Sequence, residues 1–134
     1  MRFRVLMIQY TKVLKKVSIF RERKKEMEFL LRRIEINFFE PEQELMRQQD
    51  SSFRKVVITG QGICNVYRNF NSRKRVLLGT LVEGSLTGET CVIFNSDPVN
   101  TVMAMSYCTI GMINEQNFLE FLSHFTKMKK FIID

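Results

Sequence analysis

Acid–base or nucleophilic catalysis needs a base beside a nucleophile, and this chain of 134 residues offers one histidine and three cysteines for that task. His124 lies among Phe121, Leu122 and Phe125, surroundings that suit a helix edge rather than a catalytic triad. Cys64, Cys91 and Cys108 are odd in number and widely spaced. With a single histidine they fit neither a disulfide framework nor a zinc site, and they read as reduced, buried thiols. Glu89 stands two residues before Cys91 with no histidine near it in sequence, so that pair is no catalytic couple either. The chain is expected not to be an enzyme, to hold no metal and to carry no resident cofactor.

The remaining chemistry-bearing residues are cations, and their placement matters more than their sum. The net charge is +7, but residues 1–33 hold eleven Lys or Arg against three Glu, and the rest hold ten against eleven acidic residues. Lys15, Lys16, Arg21, Arg23, Lys24 and Lys25 are therefore candidate contacts for an acidic protein, a lipid surface or another subunit, with a solvated helix face as the plainer alternative. Because the later, β-rich part is close to neutral, no nucleic-acid partner is expected.

The elements that must carry these residues follow from patterning. Forty-five per cent hydrophobic and 26% charged residues suit one ordinary globular domain. No apolar run approaches the ~20 residues of a membrane-spanning helix. No small-residue cleavage site follows MRFRVLMIQY, so an intracellular protein is expected. Val13, Leu14, Val17 and Phe20 recur at helical spacing over residues 11–20, and RERKKEMEFLLRRIE places Met27, Leu30, Leu31 and Ile34 on one face of a second helix. Short β-rich runs follow: INFFEPEQELMRQQ, SFRKVVITG, ICNVYRNF, RKRVLLGTL, NTVMAM and CTIGMI, separated by Gly, Asn, Asp, Ser and Pro. Asn114 then suits the N-cap of a closing helix with Phe118, Leu119, Phe121, Leu122 and Phe125 on one face. The chain divides into a basic helical lead-in over residues 1–33 and a β-rich unit with its closing helix over residues 34–134.

Residues 81–104 read LVEGSLTGETCVIFNSDPVNTVMA. This run resembles the cyclic-nucleotide-binding domain family of protein kinase A regulatory subunits, catabolite activator protein and tetrameric cation channels. Leu81, Gly84, Gly88, Glu89 and Thr101 fall on the family's pattern without a gap. FFEPEQELMRQQD (38–50) looks like its strand-turn-strand, VVITGQGICNVYR (56–68) like the strand pair that turns at Gly62, and residues 106–132 like the closing strand and helix of channel members. The resemblance implies an α+β, mainly β fold: a jelly-roll-like β-roll with N-terminal helices and a C-terminal helix.

The same resemblance implies a ligand set of Gly88, Glu89, Thr90, Val99, Asn100 and Thr101. Glu89 would accept a hydrogen bond from the ribose hydroxyl, and Gly88 would let the backbone approach the sugar. A helix starting near Glu89 would aim amides at the cyclic phosphate, and Thr101 would help with phosphate or base. Taken singly, the glycines also suit turns, Glu89 a helix cap and Thr101 an ordinary strand position.

Two departures stand out. The family places an arginine three residues before the closing Thr or Ser to pair with the phosphate; here that position is Pro98, the next is Val99, and no Lys or Arg occurs between Arg75 and Lys127. Losing one charge-assisted hydrogen bond of about 1.5–3 kcal/mol weakens binding roughly ten- to a hundredfold or more. The lid helix that covers the base could only begin at Lys127-Met128-Lys129-Lys130, which suggests a fragment or an abandoned lid. The expectation is a regulatory or docking domain, part of or attached to an ion channel at the inner face of a membrane, with weak or lost cAMP or cGMP binding. Its partners would be other subunits of a channel or assembly, with a homo-oligomer as one form. A free-standing structural subunit of a larger assembly and a true cAMP or cGMP sensor are the alternatives.

Overall fold

The structure is a computed structural model that describes residues 23–71 and 73–133. The first expected helix, with Lys15, Lys16 and Arg21, lies outside the described residues. Helix α1 spans Lys24–Leu31, and eight strands follow: β1 (Glu35–Phe39), β2 (Glu44–Met46), β3 (Lys55–Thr59), β4 (Cys64–Asn71), β5 (Lys74–Leu81), β6 (Leu86–Thr87), β7 (Thr101–Ala104) and β8 (Cys108–Asn114). Helix α2 (Glu89–Ile93) sits between β6 and β7, and α3 (Glu115–His124) and α4 (Met128–Ile133) close the described chain. The strands form two antiparallel four-stranded sheets, ordered β1-β8-β3-β6 and β2-β7-β4-β5. This is the expected mainly β roll with flanking helices.

Successive strand residues point to opposite faces, and the first sheet is covered on both. Val56, Ile58 and Ile113 pack under the helices with Met27, Leu30, Val92, Phe118, Phe121, Leu122 and Met128. Val57, Ile110 and Met112 turn the other way, into a second cluster with Leu45, Met46, Cys64, Val102, Ala104 and Cys108 between the sheets. That double burial explains why the β3 and β8 stretches read as nearly unbroken apolar runs. The second sheet is buried on its inner face, and its edge strand β5 leaves Leu77 and Leu78 exposed.

Several expectations are met in detail and others are corrected. The Asn114 side chain accepts the Asn117 N–H at 2.8 Å, so it is the N-cap of α3. All three cysteines are free and buried, and the Sγ atoms of Cys64 and Cys108 lie 3.8 Å apart; burial, then the neighbouring Cys108, pushes the Cys64 thiol up to about 12. Helix α1 ends at Leu31, because the chain must straighten into β1 at Glu35, so Ile34 belongs to the connection. Leu119 is 43% exposed and not on the buried face of α3. Leu86 and Thr87 form a short strand against Ile58 and Val57 that patterning did not reveal. Met27 and Leu30, from the segment assigned to the lead-in, are core residues. Among the described residues no helix is long and apolar enough to cross a membrane.

Candidate functional site

The site begins with one backbone torsion. Gly88 adopts φ +83°, and a Cβ there would collide with the Lys55 carbonyl oxygen and press on Met46, so only glycine fits between β3 and α2. Pairing of β6 with β3 fixes the approach, with Thr87 opposite Val57. Burial of Cys91 and Val92 then anchors the five-residue helix α2. Its first residue is Glu89, half-buried, with Oε2 enclosed and without a hydrogen-bond partner. Burial raises the Glu89 carboxyl above the usual carboxylate range, because the ion has lost water and gained little in return. An enclosed acceptor of this kind is suited to a donor brought by a ligand.

Residues 94–101 are arranged differently. The connection between β2 and β3 cross-links the whole loop: Gln49 N–H donates to the Pro98 carbonyl (2.8 Å), Gln48 N–H to Thr101 Oγ1 (3.0 Å), and Arg54 reaches Asp97 (3.2 Å) and Asn95 Oδ1 (3.4 Å). The loop is also tied back to α2 through Ser96 N–H, which donates to the Cys91 carbonyl at 3.1 Å. Pro98 is buried and Val99 is 62% exposed. Thr101 is buried, with its hydroxyl oxygen engaged by Gln48. Thr90 is exposed at the surface of α2, and its carbonyl accepts the Phe94 N–H. Thus the structure brings Gly88 and Glu89 together at the head of α2 and places Val99, Asn100 and Thr101 on the braced loop leading into β7.

One residue at this end escaped the sequence reading. Arg68 follows Cys64 and Val66 on the alternation of β4 that faces the core between the sheets, and its Nε–H donates to Asn100 Oδ1 at 2.9 Å. Arg68 shares a cavity of about 460 Å³ with Gln48, Gln49, Asp97, Pro98 and Val99. The period of two in CNVYR was the available signal, since it puts a cation in phase with two core residues.

Of the expected partner contacts, Arg23 is half-buried just before α1 and Lys24 and Lys25 are exposed. Lys25 lines a separate cleft of about 230 Å³ with Arg32, Arg33, Phe29 and Phe125, where the Arg33 guanidinium lies 3.6 Å from the Phe29 ring centre. Among the described residues no group of three His, Cys, Asp or Glu side chains could hold a metal ion.

The family described as cyclic nucleotide-binding domain matches residues 36–125. Among solved structures, the chain is similar to the regulatory domain of Toxoplasma gondii PKA with cAMP, at 17% identity and a TM-score of 0.79 over 87% of this chain and 45% of that one. It is similar to the regulatory subunit of a cAMP-independent protein kinase A from Trypanosoma brucei, at 17% identity and a TM-score of 0.76 over 92% and 46%; a triple mutant of that subunit is bound to cAMP in its A site. A third likeness is to the sensor domain of the transcriptional regulator DNR from Pseudomonas aeruginosa, at 14% identity and a TM-score of 0.79 over 96% and 86%. These likenesses show the fold, and the chain spans less than half the length of the two kinase chains. No curated protein matches the sequence.

Proposed function

The chain belongs to the cyclic nucleotide-binding domain family, and from that premise we propose that it is a non-catalytic regulatory module that holds cAMP or cGMP weakly, by the sugar end. The observation that carries this reading is Glu89 Oε2, enclosed and unpartnered beside a glycine whose positive φ opens the backbone. A ribose hydroxyl would donate to that oxygen. Affinity is low because Pro98 stands where the family has its phosphate arginine, and its carbonyl is already taken by Gln49.

The relatives named are kinase regulatory subunits and a transcriptional sensor, which favours a place in a larger regulatory assembly. Attachment to a channel draws its support from the likeness of residues 106–132 to channel members. The exposed Lys24 and Lys25 would be the described part of the docking face.

Titration of the labelled chain with cAMP and then cGMP into the millimolar range, followed by backbone amide shifts, tests the reading. Saturable shifts over residues 86–93 are expected, and Glu89→Gln should weaken them about tenfold or more. The pH dependence has a definite sign. The hydroxyl bonds best to the ionised carboxylate, and burial makes Glu89 keep its proton to higher pH than an ordinary carboxyl. Affinity should therefore fall as pH is lowered through that raised pKa, and the Gln variant should show no such fall. A flat response from folded wild-type protein would remove both nucleotides as ligands and leave the roll as a docking element.

A further inference from the structure

The loop lacks a cation, yet the cavity beside it does not. We propose that Arg68, delivered by strand β4 rather than by the loop, is the anion-holding residue of this pocket and takes a compact oxyanion such as a phosphate ester. The inference deepens the reading just given, since the oxyanion would be the phosphate end of the same ligand.

Four observations converge on Arg68. Its place on the inner alternation of β4, after Cys64 and Val66, aims it toward the interior rather than along the outer surface. Its Nε–H is pinned by Asn100, so the guanidinium is held in one orientation while both terminal nitrogens are without a partner among the described residues. The terminal nitrogens are not sealed from solvent and the side chain lines the cavity, so an anion entering there can reach their N–H donors. Asp97, the carboxylate lining the same cavity, is already paired with Arg54 at 3.2 Å and so does not serve Arg68.

The local field points the same way. Between residues 56 and 126 every Lys or Arg lies on the β4–β5 hairpin: Arg68, Arg73, Lys74 and Arg75. The last three line a neighbouring cleft of about 510 Å³ that shares Gln48 and Gln49 with the Arg68 cavity. The hairpin thus raises the potential at the pocket, while Arg68 supplies the directed donors. Two parallel N–H groups match two oxygens of a phosphate or carboxylate.

Inorganic phosphate is the probe, titrated into the full chain at constant ionic strength so that screening does not change. Saturable shifts are expected at the Arg68 Nε–H and the amides of residues 97–101. Arg68→Gln should weaken them about tenfold or more, Arg68→Lys by less, and Asn100→Ala, which keeps the charge but frees the guanidinium, about threefold. Lys74→Gln in the neighbouring cleft should change affinity less than about twofold. The proposal is overturned if folded wild-type protein gives no shift at residues 97–101, if Arg68→Gln binds as well as wild type, or if Lys74→Gln loses as much. Should Arg68→Gln fail to fold, the Lys and Asn100 variants decide the matter. Phosphate shifts at residues 97–101 without cAMP shifts at residues 86–93 would uphold Arg68 and defeat the sugar-end reading; the reverse pattern would do the opposite.

Discussion

The turn at Gly88 and Glu89 and the loop over residues 95–101 lie at the two ends of one short segment, and they are held by opposite means. The turn is fixed by a left-handed backbone torsion pressed against Lys55 and by the burial of Cys91 and Val92. It leaves a carboxylate oxygen with nothing to accept from. The loop is fixed by polar cross-links from residues 48–54, and these occupy the Pro98 carbonyl, the Thr101 hydroxyl oxygen and the Asp97 carboxylate. The turn thus presents an open acceptor, whereas the polar groups of the loop are spent on holding its own shape.

Substitutions at the two ends should differ in kind as well as size. Gly88→Ala forces a Cβ into the Lys55 carbonyl at positive φ, and should cost about 2–3 kcal/mol. Calorimetry should register that as a fall in Tm of about 10 °C. A loss under about 0.5 kcal/mol would mean that the turn is not under steric control. Pro98→Arg returns a cation to the loop and should tighten cAMP binding about tenfold or more, read by isothermal titration. No change would show that the braced loop cannot aim a side chain at the ligand, which sharpens the contrast. Asp97→Asn removes one partner of a pair whose aspartate is largely exposed, and should cost at most about 0.5 kcal/mol in denaturant unfolding. A much larger loss would mean that a single ion pair, and not the set of cross-links, holds the loop.

The fold was readable because its signals are local and repeated. The alternation in CNVYRNF, the glycine and asparagine turns and Asn114 before an aromatic helical face each translate directly into an observed element. The Gly-Glu turn was readable because its chemistry is carried by consecutive residues. Other features depend on partners far along the chain. The engagement of Thr101 rests on Gln48, 53 residues away, and Arg68 meets Asn100 across 32. Neither contact has a local signature, and a cation in a strand reads by default as outward-facing. Leu119 was misplaced because an aromatic-rich helix has more apolar residues than its buried stripe can hold.

Strand β8 has a bearing on the order of assembly. It lies between β1 and β3, pairing Glu35 with Met112 on one side and Lys55 with Asn114 on the other. The helix-side sheet therefore has no centre until nearly the last strand residue is in place, and β1 must wait for partners 69 to 77 residues downstream. Such non-local closure is slow, on the scale of milliseconds to seconds. Until β8 arrives, β1 and β3 carry unpaired edges and bare apolar faces, so the interval before closure is when the chain is most exposed to association with its own kind.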